Sequence, residues 1–293
     1  MAIVNLTPDS FSDGGRWQGP TGALALERIA ASCRAWVEQG AAVLDLGGES
    51  TRPGATPLDA NEELARVLPV LDHLRADPAL REVPISIDTR HAAVARVALA
   101  QGAAIINDVS GLADPDMAEV VAAGRAGLVI GHMRGEPATM QDAIAFDDLL
   151  GEVVEELGLS LARARAAGVA RESILVDPCV GFGKTAAQSA ALVAAASLLE
   201  RELGVPVLIG ASRKRFLSQW TGEAASGQLD AGARTNASVA AALAAVAHGA
   251  ALVRVHDVEP TLEALRVWFG VAAAHEQARA VALGLVAARS EPE

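Results

Sequence analysis

A chain of 293 residues, 51% hydrophobic and 20% charged, has enough apolar material for a large core, which argues against a disordered chain. Its formal net charge of −12 argues against a nucleic-acid or anionic-membrane surface, so an anionic ligand must meet a local cluster of cations. Cys33 and Cys179 are too few for a disulfide framework, no apolar run reaches the ~18 residues that span a bilayer, and the N-terminus lacks the order of a signal peptide. A cytoplasmic location is the expectation.

Short apolar runs alternate with longer helix-like stretches. In chain order the runs are AIVNL (2–6), AVLDL (42–46), PISID (84–88), AIIND (104–108), GLVIGHM (127–133), SILVDP (173–178), PVLIG (206–210) and ALVRVHD (251–257). Most are continuously β-branched or Leu-rich, as suits parallel strands buried on both faces. The Ala-rich segments between them have helical periodicity, and several end in Gly, a common helix stop. Eight strand–helix units predict a closed (β/α)₈ TIM barrel, with an open doubly wound sheet as runner-up. No linker or composition shift divides the chain, so residues 1–293 are expected to form one domain, with ARSEPE (288–293) outside the pattern.

The informative feature is where polar residues fall. The strands end in Asn5, Asp45, Asp88, Asn107, His132, Asp177, Ser212, and then Arg254 and His256. In a barrel the C-terminal strand ends face the active site, so these groups are expected to converge on one mouth. A lone Asp in a strand end is more often a core group satisfied by backbone amides or arginines. Asp88, Asn107 and Asp177 together favour a ligand rich in N–H donors, because carboxylates only accept while Asn both donates and accepts.

ASRKRF (211–216) places three cations beside a strand end, and Lys214 is expected to point inward because the chain has only one other lysine, Lys184. In RVHD (254–257) the alternation points Arg254 and His256 the same way, and an Arg beside a His suits a phosphate or pyrophosphate. DPCVGFGKT (177–185) fails as a P-loop, since Pro178 stands where the first glycine is required, and reads instead as a tight loop after strand six. HMRGEPATM (132–140) supports no metal site, and the cysteines lack zinc-ligand spacing.

Taken together, NLTPDSFSDGG, DLGGESTRPGA, SIDTR, INDVSG, HMRGEPATMQ, GFGKT, GASRKRF and RVHDV resemble, in order and spacing, the dihydropteroate synthase family. The resemblance covers nearly the whole chain. It implies condensation of dihydropterin-CH₂-pyrophosphate with p-aminobenzoate, with Mg²⁺ present, and a homodimer. It also implies that Asp88, Asn107, Asp177 and Lys214 hold the pterin, that Thr51, Arg254 and His256 face the pyrophosphate, and that Asn5 helps bind the metal. TPDSFSDGG and ESTRPGA resemble the family's two mobile loops, from which Asp13 and Arg52 are assigned catalytic roles alongside Lys214. Two departures stand out: little chain precedes the first strand, and Cys179-Val180 replaces a common Gly-Phe. The rivals are a pterin-binding methyltransferase barrel, a non-catalytic pterin binder and a barrel aldolase, the last needing a Schiff-base lysine within a strand.

Overall fold

The computed structural model describes residues 1–7, 17, 24–50, 55–142, 144–221 and 234–282. Six parallel strands pair in sequence: β1 (Ala2–Asn5), β2 (Leu44–Gly47), β3 (Ile85–Asp88), β4 (Ile105–Asp108), β5 (Gly127–Gly131) and β6 (Ile174–Asp177). β7 (Leu208–Ile209) pairs with β8 (Leu252–Val253), again in parallel. Two parallel bridges, Val176–Val207 and Ala2–Val255, join β6 to β7 and β8 to β1. The sheet therefore closes on itself, and the expected (β/α)₈ barrel is what forms.

Alternation within each strand explains the continuous apolar runs. Leu44 and Leu46 of β2 pack outward into the large core shared with the helices, whereas Val43 faces inward. Met1, Val43, Val129 and Leu208, with the partly buried Ile105, Leu175 and Leu252, fill the floor of the barrel interior. Most strand residues are buried on both faces, as parallel strands in such a fold require, while Leu252 and Val253 of β8 are half-buried.

The outer ring comprises α1 (Leu26–Gln39), α2 (Ala60–Ala76), α3 (Ala92–Ala100), α4 (Met117–Gly124), α5 (Leu149–Ala166), α6 (Ala186–Val193), α7 (Ala196–Leu203), α8 (Thr235–Ala247) and α9 (Val258–Ala282). α1 buries Ile29, Ala30, Cys33 and Trp36 along one stripe and stops at Gly40, which adopts φ +116°. Asp59 caps α2 by accepting from the Asn61 and Glu62 amides, and Thr185 with Gln188 forms a reciprocal capping box on α6. Among the described residues, no helix is long and apolar enough to cross a membrane. Both cysteines are free and buried.

The structure shifts several boundaries. The sixth run opens with a 3₁₀ turn, Arg171–Ser173, before β6, and a second 3₁₀ segment, Arg215–Gln219, follows β7. The fifth run ends as a strand at Gly131 rather than residue 133.

Candidate active site

The polar strand ends do meet above the apolar floor. At the base, Asp45 of β2 has no exposed surface and accepts from Arg254 Nε at 2.6 Å and from Asn107 Nδ2 at 3.3 Å. Arg254 also donates from Nη2 to Asp88 Oδ2 at 2.6 Å, so one guanidinium ties β8 to both β2 and β3. The other Asp88 oxygen, Oδ1, finds no hydrogen-bond partner among the described residues. Burial pushes the Asp88 carboxyl up to about 7 despite the neighbouring Arg254.

Opposite this cluster lies Asp177, at the end of β6. Its Oδ1 accepts from the Cys179 amide at 2.7 Å, and burial raises its carboxyl against the pull of Lys214. Bare backbone at Gly210 leaves room between Asp177 and Arg254: a Cβ there would lie 3.7 Å from a side-chain atom of each. Lys214 turns inward as expected, donating to the Val180 carbonyl at 2.6 Å with Nζ 4.4 Å from the Phe182 ring centre. Burial lowers its ammonium, partly offset by Asp177. The flanking arginines behave differently. Arg213 forms a bidentate pair with Asp257, while Arg215 is exposed.

Nearer the rim, Asn5 Nδ2 lies 3.4 Å from His256 Nε2, and Ser212 Oγ sits 3.1 Å from both the Nδ1 and the backbone nitrogen of His256. Asn5 Oδ1 and the Asp88 side chain both border bare Gly47, which sets the Asn5–His256 pair beside Asp88. His256, Asn5, Asp88, Arg254, Asp177 and Lys214 thus surround one opening. The donor set fits Mg²⁺ modestly: Asn5 turns its amide nitrogen to His256 and keeps a hard neutral oxygen toward Gly47, and Mg²⁺ commonly takes one or two protein oxygens plus substrate phosphates and waters.

Asp13, Thr51 and Arg52 lie outside the described residues. The base of the second loop is described. Glu49 accepts both Nε and Nη2 of Arg90 and also the Leu58 amide, which fixes the two ends of that loop to β3's exit. Against the cost of burial, these donors hold its carboxyl below the usual range.

Glu63 of α2 sits beneath, fully buried, with Oε2 taking the Thr89 hydroxyl at 3.1 Å and Oε1 without a partner among the described residues. Burial, reinforced by Glu49 and Asp88, pushes its carboxyl from 4.5 to about 8. Folding therefore retains a proton that the unfolded chain loses. The associated stability is complete below about 4.5 and falls as pH rises toward 8, at about 1.4 kcal/mol per unit. Glu63→Gln should raise the urea midpoint over wild type near pH 8 and change it little near pH 4.5. Parallel pH curves for the two proteins would contradict this account.

Three contributors carried no assigned role in the sequence reading. Asp45 was visible as a polar strand end, but its partners come from β4 and β8. Lys184 is buried, and its ammonium contacts His132 Nδ1 and donates to the His132 and Phe182 carbonyls, all at 2.9–3.0 Å. It locks the loop after β6 to the end of β5, where the spacing showed only a tight turn. His132 itself reaches Glu156 of α5 at 3.0 Å rather than joining the mouth. Glu63 has the outward signature of a solvated helix residue, and only its packing against Thr89 shows otherwise.

A closed barrel whose polar side chains gather at the C-terminal ends of its strands has the arrangement of the (β/α)₈ enzymes, which build their active sites at that face. The sequence profile of the pterin binding enzymes matches residues 1–256. A dihydropteroate synthase of Neisseria meningitidis serogroup C is 46% identical over 272 residues, covering 92% of this chain and 90% of the relative. Among solved structures, Yersinia pestis dihydropteroate synthase with a sulfonamide drug superposes with a TM-score of 0.83 at 36% identity, covering 94% and 93% of the two chains. Burkholderia cenocepacia dihydropteroate synthase complexed with 7,8-dihydropteroate gives 0.79 at 41%, covering 94% and 92%. The chain belongs to the dihydropteroate synthase family.

Proposed function

We propose that this chain is a transferase that condenses (7,8-dihydropterin-6-yl)methyl diphosphate with p-aminobenzoate, giving dihydropteroate and pyrophosphate. The observation that carries this reading is the base of the mouth. Asp88 Oδ1 is a buried acceptor with no partner among the described residues; Asp88 pairs in register with Asn107 and takes Arg254 on Oδ2, and Arg254 in turn borders Gly210 together with Asp177. Leaving such an acceptor unmatched costs about 1–3 kcal/mol, which a ring bearing amino and amide N–H groups would recover. On this reading Asp88, Asn107 and Asp177 take the polar edges of the pterin, and Lys214 approaches it beside Phe182.

Thr51, His256 and the uncommitted N–H groups of Arg254 then face the diphosphate. Asn5 would help hold Mg²⁺ there, and the ion when bound would neutralise charge on the departing group. The bond that breaks is carbon–oxygen: pyrophosphate leaves with the electron pair, and the pterin shares the positive charge left on its methylene carbon. The p-aminobenzoate nitrogen then bonds to that carbon and sheds a proton, held in position rather than activated by a strong base. Asp13 and Arg52, from the two loops, complete the aminobenzoate side.

The Burkholderia relative, solved with 7,8-dihydropteroate, the product of this condensation, supports the same reaction here. Exposed Val267, Trp268, Phe269 and Val271 on α9 support a homodimer contact, and the reading places the protein in the cytoplasm. Pyrophosphate release should require both substrates and Mg²⁺, and omission of any one should abolish it. No release from folded protein in the complete mixture would leave a non-catalytic pterin binder as the better reading.

A further inference from the structure

We propose that Asp45 is a positioning residue that sets which face of Asn107 and which N–H groups of Arg254 the ligand meets. The inference rests on the pterin reading above and extends it to Asp45, whose Oδ2 acts through Asn107 and Arg254 while its Oδ1 has no partner among the described residues. Asp45 is completely buried, one inward position below Gly47, and its Oδ2 is shared by Arg254 Nε at 2.6 Å and Asn107 Nδ2 at 3.3 Å.

An amide alone is ambiguous, since either its oxygen or its nitrogen can face a ring. A carboxylate only accepts, so it can hold only the NH₂ side of Asn107, which directs the carbonyl oxygen away from Asp45. The same logic applies to Arg254. With Nε on Asp45 and Nη2 on Asp88 Oδ2, the planar guanidinium has one orientation, and Asp88 Oδ1 stays available. One buried carboxylate thereby presents two acceptors, Asn107 Oδ1 and Asp88 Oδ1, to an incoming N–H-rich edge. Without its charge, the Asn107 amide can rotate and Arg254 can lean wholly onto Asp88.

The test is a double-mutant cycle on KM for the pterin diphosphate, using Asp45→Asn, Asn107→Ala and the pair, with KM for p-aminobenzoate measured in parallel. Asp45→Asn keeps shape and volume, and Asp45→Ser serves if the first variant does not fold. Each single change should raise the pterin KM by roughly tenfold, and the pair little further, giving a coupling of about fivefold or more, while the aminobenzoate KM moves less than about twofold. Additive losses would overturn the proposal. So would an equal rise in both KM values with a lower melting temperature, which is what a purely structural residue gives. Wild-type protein that neither binds nor turns over the pterin would instead sink the functional reading, and this inference with it.

Discussion

Asp88→Asn should weaken binding of the pterin substrate by about 10²-fold, because it replaces a charged acceptor with an amide that must turn a donor toward either Arg254 or the ligand. The pH dependence distinguishes this from a general loss of fit. Burial holds the free Asp88 carboxyl near 7, yet N–H donors on the ligand require it ionised. Below that pH, binding must expel a proton, so wild-type affinity should fall by up to about tenfold per unit and level off above it. The Asn variant has no such proton and should lack that acidic limb. Calorimetric titration across the neutral range reads both quantities. His256 remains in both proteins, so a limb shared by the two would belong elsewhere and would remove Asp88 from the centre of recognition.

The largest stability effect is expected at Gly131, where β5 ends beside Asp177 of β6. A Cβ there would stand 2.5 Å from Val109 Cα and 2.8 Å from Cys179 Sγ. The first obstacle is backbone, which cannot rotate aside. Gly131→Ala should therefore cost about 3 kcal/mol or more, read as a drop in the urea midpoint. Adding Cys179→Ala removes only the second obstacle, so the double variant should remain destabilised. Because the Cys179 amide holds Asp177 Oδ1, the displaced loop should weaken pterin binding as well. An alanine variant as stable as wild type would show that the β4 and β5 exits are less tightly packed than these distances require.

Much of this architecture can be read from the residues because parallel barrel strands are buried on both faces. Runs such as AIIND and PISID have no other comfortable place in a globular chain. Boundaries move where local turns compete, as at Arg171–Ser173 and at His132, which leaves β5 to meet Glu156. Asp88, Asn107, Asp177, Lys214, Arg254, His256 and Asn5 gather as their positions at strand ends implied. What resisted reading depends on contacts across the barrel. Asp45 takes its role from an arginine 209 residues away, and Lys184 from carbonyls on two different loops. No local pattern carries that information. Glu63 misleads for a related reason: one helix face meets the barrel end, and a charged residue on it is buried with its proton.

The most direct test is where the ligand comes to rest. Crystals grown with a dihydropterin diphosphate analogue and Mg²⁺ should show the amino-pyrimidinone edge at hydrogen-bonding distance, about 3 Å, from Asp88, Asn107 and Asp177, with the diphosphate beside Asn5 and His256. A ligand bound with its ring at the rim, or outside the strand ends altogether, would contradict the account at its root.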